Sequence, residues 1–533
     1  MERLLKDHSA TSLRLSLPSR SYVKKANSPK TIEYQYPSKQ GRKVKTIQSV
    51  RDFRLLVFAI LLLPLSLAIG QETNIGVRPI PLTRPELKWF IEDVKVRIPR
   101  IPLPNLNDQD REKLGDQVDN YESRLRYHYL NGIEPIRNLG NPPGVPPLVG
   151  TRNGQSAFSS REQDPAFSLD NAFKIELFWI VSRVNNCQYC IGHQESKLLA
   201  AGRSEDQIAA LDGDWSEFSP ASKLAFAFAR KFTYQPYLFS DNDIVGLQAH
   251  FTNVQILEMI LSMSGNNSIN RWKEGVGVPQ RIDEGGYSRS ATLGQSGQTT
   301  SELDPKLPRG TYLTPTSNAF AKKISNVAVI SLDEKTGMPT SVTSSTRQLL
   351  ESREHVEKMI ANCRTRSSRL PLVDDEQART NIPACASLDG ALPKWVRLIA
   401  NFPKAGSIRF ESIRAAEEKG DLSPLFKAQL NWILARQDRA WYVLGLAQSR
   451  LRELGQSDVQ IFALDGDLAD YSAHDKSLIQ VAKQLAISPV ILSDQEVSKA
   501  VQLAGPRDLV QVISYTTSRA SFNRLTEAAG LPL

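Results

Sequence analysis

Two cysteines separated by two residues are the part of this sequence best suited to covalent chemistry. Cys187 and Cys190 lie one helical turn apart in the segment NNCQYCIGH, and His193 follows one turn later. A carboxylate, Glu176, precedes Cys187 by eleven residues in an amphipathic apolar run. Two thiols at this spacing can close into a disulfide, or one can hydrogen-bond the thiolate of the other. With an acid and a base nearby, the pair could attack a substrate and then form a disulfide.

A second copy of this region occurs 253 residues later and lacks the reactive groups. About a hundred residues match at this offset without a gap, including Trp179 with Trp432. The candidate site residues Glu176, Cys187, Cys190 and His193 correspond to Gln429, Ala440, Val443 and Leu446. We expect residues common to both copies to serve the fold and residues confined to the first copy to serve a reaction. Arg183 and Asp212 recur, which favours structural roles for both.

Apolar residues recur with helical spacing in the first copy, and no alternating strand pattern or hairpin signal is present. This predicts helices at about 173–184, 187–201, 204–211, 219–231, 240–249 and 253–264. Asn185 and Asn186 separate the first two predicted helices, so the second helix can turn back towards Glu176. Cys187 is expected in its first turn, where the helix dipole favours negative charge. We expect His193 and Glu176 to handle the proton of Cys190.

The predicted fold is all-α, with two similar helical domains in tandem joined by a flexible linker rich in Ser, Thr and Gly. Composition and the repeat divide the chain into five segments. They are a basic leader with a signal peptide or anchor (1–72), a proline-rich and helical N-terminal extension (73–164), the domain with the cysteine pair (165–281), the linker with a helical segment (282–390) and a degenerate domain without the cysteines (391–533).

The formal charge of +9 is concentrated in residues 1–50, which contain eleven Lys or Arg against three acids. The remainder is nearly neutral and has no basic stripe, so we predict no nucleic-acid binding by the folded part. Residues 55–69 are uncharged and follow Arg51 and Arg54, a pattern typical of a signal peptide. We therefore expect export to the periplasm or the extracellular space. An uncleaved membrane anchor formed by 55–69 and a buried helix are the alternatives.

The two remaining cysteines, Cys363 and Cys385, have no metal-ligand spacing. They could pair with each other in an oxidising compartment or remain two unlinked buried thiols. A zinc site needs four ligands, whereas Cys187, Cys190 and His193 supply three. We predict no metal and no cofactor.

A glutamate followed by CxYC and a histidine, on an all-helical domain, resembles the carboxymuconolactone decarboxylase superfamily. Within it, the pattern resembles the alkylhydroperoxidase D (AhpD)-like branch, including its peroxidase-related members. The resemblance covers about 165–280, and 391–533 in degenerate form. It implies that Cys190 is the peroxidatic cysteine, that Cys187 resolves it and that Glu176 and His193 relay protons. Here the histidine stands one residue earlier than the family pattern, with Gln194 in the usual place, and the spacing from glutamate to first cysteine is one residue shorter.

The resemblance implies a thiol peroxidase, or a related peroxiredoxin-type dithiol–disulfide oxidoreductase, that uses a peroxide substrate and a thiol or dithiol reductant. Decarboxylases of the superfamily lack the cysteine pair, which argues against a lyase but leaves it as an alternative. A non-catalytic exported protein with a structural disulfide between Cys187 and Cys190 is the other alternative. Relatives assemble from repeated subunits, so we expect the two copies to pack as a pseudo-dimer, with homo-oligomer formation open.

Overall fold

In the computed structural model, capping side chains mark where helices begin. Ser204, Thr252 and Ser493 each begin a helix with a capping box, in which the hydroxyl accepts from the third backbone N–H of the helix. The structure describes residues 80–130, 164–282, 288–290, 324–328 and 350–533. The predicted leader, including 55–69, and most of the predicted linker lie outside these described residues. The described residues belong to one compact unit.

The described part is all-α, as predicted, apart from one small strand pair. Among the described residues, three helices precede the first copy: α1 (Arg84–Asp93), α2 (Asp108–Leu114) and α3 (Tyr121–Tyr129). The first copy contains α4 (Asn171–Val184), α5 (Gln188–Ala200), α6 (Glu205–Ala210), α7 (Pro220–Tyr234), α8 (Asp241–Gln248) and α9 (Asn253–Val276).

Two three-residue strands, β1 (Gln280–Ile282) and β2 (Ser288–Ser290), pair antiparallel after α9. The sequence did not predict them, because strands of three residues are too short to establish an alternating pattern. Helix α9 is also longer than the predicted 253–264. Its second half contains the polar residues Asn266, Asn267 and Asn270, which interrupt the apolar spacing although all three are buried.

In the described part, two helices lie within the predicted linker region of 282–390, two more begin the predicted degenerate domain, and five correspond to the first copy. The first four are α10 (Arg353–Thr365), α11 (Asp375–Asn381), α12 (Lys394–Ile399) and α13 (Pro403–Glu418). The other five are α14 (Pro424–Asp438), α15 (Trp441–Glu453), α16 (Asp458–Ala463), α17 (Ala473–Ala486) and α18 (Asp494–Ala528).

The helix bounds of the two copies repeat at the sequence offset of 253. Helices α15 and α16 begin and end 253 residues after α5 and α6. Helix α18 corresponds to α8 and α9 together, because its backbone leaves the helical conformation at Gly505 (φ 81°), before Pro506. The positive φ of Gly277 recurs at Gly530.

Reciprocal contacts join the two copies in their shared core. The Arg271 guanidinium on α9 donates to the Ala486 carbonyl at 3.1 Å, and the Arg524 guanidinium on α18 donates to the Thr233 carbonyl at 3.0 Å. Both pairs of positions are related by the 253-residue offset, and both arginines are fully buried. Equivalent residues that contact each other reciprocally are the pattern of a two-fold symmetric interface.

Candidate functional site

The turn between α4 and α5 positions the cysteine pair. Helix α4 ends at Val184, and Asn186 adopts a positive φ of 56°. The Cys187 N–H donates to the Ser182 carbonyl at 3.0 Å, and the Cys187 sulfur accepts from the Cys190 N–H at 3.3 Å. Cys187 is therefore the N-cap residue of α5, one position earlier than the predicted first turn, and Cys190 lies within that turn.

Both sulfurs are buried, and no disulfide links them in the structure. Cys187 is 0% exposed and Cys190 2% exposed, and both are free thiols. Burial, followed by a hydrogen bond between the two thiols, raises the pKa of Cys187 well above its usual value. The structure thus assembles the predicted dithiol at the start of α5, with Cys187 held in its protonated form at neutral pH.

Glu176 lies at the other end of α5 from the dithiol. Its carboxylate accepts a hydrogen bond from Arg203 Nε at 2.9 Å, just beyond the end of α5. Glu176 and Arg203 line a cavity of about 290 Å³ together with Leu198. Cys187, Cys190 and His193 belong to the described residues and do not line this cavity. Leu198 is eight residues beyond Cys190, which corresponds to about 12 Å along the helix.

The separation of Glu176 from the dithiol follows from the direction of α5. After the turn at Asn185 and Asn186, α5 runs antiparallel to α4, so residues early in α4 lie beside the end of α5 rather than its start. Trp179 follows the same pattern, since its indole N–H donates to Glu195 at 3.1 Å. The sequence predicted the reversal but not how far along α5 the partner of Glu176 would lie. Burial raises the pKa of Glu176, and Arg203 opposes this shift.

His193 lies on α5 one turn beyond Cys190 and is partly buried. It shares a helix face with Cys190, because residues three apart are neighbours on a helix. The structure therefore places three of the four predicted site residues, Cys187, Cys190 and His193, within the first two turns at the start of α5. The fourth, Glu176, has Arg203 as its hydrogen-bond partner.

Helix α1 and β1 cover this part of α5. A Cβ atom placed on Gly192 would lie 2.6 Å from Gln280 Oε1 and 3.0 Å from Ile91 Cγ2, so only glycine allows so close an approach. The Gln280 side chain also donates to the Tyr189 carbonyl between the two cysteines. The predicted N-terminal extension thus forms part of the enclosure around the dithiol helix.

Two charged residues near the dithiol were not predicted. Lys273 on α9 lies with its ammonium 4.4 Å from the centroid of the Tyr189 ring and forms an ion pair with Glu122 of α3. Cys190 is among the groups that act electrostatically on Lys273, and Glu274 is among those that act on Cys187. Lys273 and Glu274 lie more than eighty positions from the cysteines in sequence, where no short motif could connect them.

The comparison between copies contains a signal for some of these residues. Lys273 and Gln280 correspond to Thr526 and Leu533, so both are confined to the copy with the cysteines. Glu274, in contrast, recurs as Glu527. The same criterion that selected the cysteines therefore also selects Lys273 and Gln280.

Within the described ranges, no three His, Cys, Asp or Glu residues are grouped so that they could hold a metal ion. Cys363 and Cys385 are unlinked and buried, and their thiols contact the carbonyls of Leu531 and Ala378. None of the helices in the described part combines the length and apolar character needed to span a membrane.

No protein-family model matches the chain, and no curated protein matches it.

Proposed function

We propose that the protein is a dithiol–disulfide oxidoreductase that reduces peroxides with Cys187 and Cys190. The hydrogen-bonded thiol pair at the start of α5 is the observation that carries this proposal. A sulfur at the N-cap and a second sulfur in the first turn form the arrangement in which a CxxC pair can alternate between dithiol and disulfide. Loss of both sulfurs from the otherwise similar second copy supports a reactive rather than a structural role.

In the proposed reaction, the Cys190 thiolate attacks one peroxide oxygen and the O–O bond breaks. The products are a Cys190 sulfenic acid and an alkoxide or hydroxide, which takes up a proton to give alcohol or water. The Cys187 thiol then condenses with the sulfenic acid, forming the disulfide and releasing water. His193 is the imidazole proposed to move the proton of Cys190. Because both sulfurs are buried, hydrogen peroxide and small organic peroxides fit the site better than bulky ones.

A thiol or dithiol reductant would restore the thiols by disulfide exchange. The apolar segment 55–69, preceded by two arginines, supports the further proposal that the protein is exported.

Peroxide consumption with dithiothreitol as reductant tests the proposal. We expect Cys190→Ser to reduce consumption to the uncatalysed rate, because the attacking sulfur is absent. In the absence of dithiothreitol, Cys187→Ser should consume one equivalent of peroxide and stop at the sulfenic acid. Cys385→Ala is the matched control, since it removes a buried thiol that has no second thiol beside it, and its rate should equal that of the unchanged protein. Equal rates for the Cys190 variant and the unchanged protein would exclude the reaction.

The burial of both sulfurs favours a second candidate, a passive structural disulfide in an exported protein. The reduction potential of the Cys187–Cys190 pair distinguishes the two. A structural bond has a potential below about −300 mV, whereas a pair that turns over has a higher one. The potential follows from equilibration with glutathione or dithiothreitol buffers and mass spectrometry of alkylated thiols.

A further inference from the structure

Lys273 is a buried cation beside the dithiol helix that the proposed reaction has not used. Lys273 is 8% exposed and lies on α9, where α9 packs against α5. The ammonium lies 4.4 Å from the centre of the Tyr189 ring, and Tyr189 immediately precedes Cys190. A buried ammonium is costly unless its charge is compensated, so its location requires an explanation.

Glu122 supplies part of that compensation. Its carboxylate forms an ion pair with Lys273 and accepts from the Trp272 indole N–H at 2.7 Å. It also pairs with Arg126 at 3.2 Å, so one carboxylate is shared between two cations. Lys273 therefore shares its carboxylate partner with a second cation. A thiolate at Cys190 would add to the negative charge that acts on this ammonium.

The second copy provides an internal comparison. It retains Tyr442 at the position of Tyr189 and Glu527 at the position of Glu274, so the surroundings are similar. At the position of Lys273 it has Thr526, a neutral residue whose hydroxyl donates to backbone carbonyls of its own helix. The cation is thus present in the copy with the cysteines and absent from the copy without them. A lysine that served only to pack the helices would not need to be lost together with the sulfurs.

The pKa of Lys273 agrees with its location between Glu122 and the dithiol helix. Burial acts to lower the pKa of Lys273, but Glu122 outweighs burial, and Tyr189 and Cys190 add to its effect, so that the net pKa is raised. Lys273 therefore carries its charge at neutral pH.

We propose that Lys273 is a positioning residue that stabilises the thiolate of Cys190, and that Glu122 limits this stabilisation by sharing the charge. The inference rests on the proposed dithiol function and deepens it. It gives the N-terminal extension, through α3, a part in setting the reactivity of the cysteine pair.

The pH dependence of Cys190 alkylation by iodoacetamide tests the proposal in the absence of any peroxide. The measurement uses the reduced, full-length Cys187→Ser protein, with mass spectrometry to identify the modified cysteine. Replacing Lys273 by Met removes the charge at similar length, so we expect the midpoint of the alkylation profile to rise and the rate at pH 7 to fall about tenfold, equivalent to about one pH unit. Replacing Lys273 by Arg should restore most of the rate.

Glu122→Gln gives the opposite expectation. It leaves the ammonium and removes the competing negative charge, so the midpoint should fall and the rate at pH 7 should rise. A purely structural ion pair would instead make the Lys273→Met and Glu122→Gln variants alike, both less stable to heat and both with an unchanged midpoint. That result, or midpoints that move in the same direction, would overturn the inference. Where alkylation of the buried thiol is too slow, the ultraviolet absorbance of the thiolate gives the same midpoint.

The two proposals fail separately in these experiments. A midpoint that responds to both variants, in a protein that consumes no peroxide, would refute the peroxidase and retain the charge effect. Normal peroxide consumption with an unresponsive midpoint would refute the role of Lys273 alone.

Discussion

The two sulfurs of the dithiol differ in their surroundings, which suits them to different roles. Cys187 is the N-cap of α5 and accepts the Cys190 N–H, and burial raises the pKa of its thiol. Because the thiolate is the nucleophile, the thiol with the raised pKa is the less suited of the two to attack the peroxide first. Cys190 lies inside the first turn, where the helix dipole favours negative charge, and Lys273 acts on it from α9. This difference is the reason for proposing that Cys190 attacks and Cys187 resolves.

Glu195 is a buried acid on α5 that holds the covering helix α1 in place. It accepts hydrogen bonds from Arg84 at 2.6 Å and from the Trp179 indole, and it forms an ion pair with Lys88. Burial alone would raise the pKa of Glu195, but Arg84 and Lys88 outweigh it and lower the pKa to about 2.

We expect Glu195→Gln to destabilise the protein by about 3 kcal/mol, because removing one partner leaves buried cations uncompensated. This is the lower end of the usual range, since Glu205 still pairs with Arg84 and Lys88. Urea unfolding followed by circular dichroism measures the change. Glu453→Gln, which removes an exposed pair with Arg450, is the control and should change stability by less than about 1 kcal/mol. Equal effects of the two substitutions would contradict the expectation.

At the scale of helices, the apolar spacing and the capping residues were sufficient to predict most elements of the first copy. The prediction for α9 ended at 264, because buried asparagines cannot be distinguished from exposed ones without knowledge of the partner surface. The dithiol was also predictable, since its geometry is local to one turn. The position of Glu176 was not, because it depends on how two antiparallel helices align in register. The recurrent pair of Arg183 and Asp212 was predicted to be structural, and their side chains form an ion pair at 3.1 Å.

Helices α17 and α18 are joined at their surface by His474, whose charge depends on pH. Its Nδ1 atom lies 2.9 Å from Asp475 and its Nε2 atom 3.1 Å from Asp508. The hydrogen bond with Asp475, followed by that with Asp508, raises the pKa of His474 above its usual value. A raised pKa in the folded state means that the imidazolium adds stability below the unfolded pKa of about 6.5 and that this stability is lost as the pH rises through the folded value.

His474→Gln should therefore destabilise the protein at pH 5.5 by roughly 0.5 kcal/mol and have less effect at pH 8.5. The value is small because the side chain is 41% exposed and solvent screens such pairs. Thermal unfolding at both pH values gives the difference, and His250→Gln on the same backgrounds is a control at a second histidine. A larger loss at pH 8.5 than at pH 5.5 would show that the imidazolium does not carry the interaction.

At the scale of the whole molecule, contacts at corresponding positions extend beyond the predicted bounds of the repeat. Arg97 pairs with Glu274 at 3.1 Å, and Arg366 pairs with Glu527 at 3.0 Å, each next to the end of the last long helix of its copy. The arginines are 269 residues apart, as are the first residues of α1 and α10. The intervening segment is thus sixteen residues longer in the first copy, so an ungapped comparison at 253 cannot detect this similarity.

The reciprocal core contacts predict that both copies unfold together. Arg524 donates to Thr233 in the first copy and pairs with the buried Asp438 at 3.1 Å in the second, so loss of its charge should weaken both. The four cysteines report on the process, because all are buried: Cys187 and Cys190 in the first copy, Cys363 and Cys385 near the second.

Pulsed thiol labelling of the reduced protein across a urea gradient should therefore give one midpoint for all four cysteines, since coincident probes indicate a single cooperative transition. Replacing Arg524 by Met should lower that midpoint for both pairs equally, by an amount equivalent to about 3–5 kcal/mol. Arg450→Met, which removes an exposed guanidinium from the second copy, is the control and should leave all midpoints nearly unchanged. If Cys363 and Cys385 became labelled at lower urea than Cys187 and Cys190, the second copy would be an independently unfolding unit. Its contacts would then not support the dithiol helix.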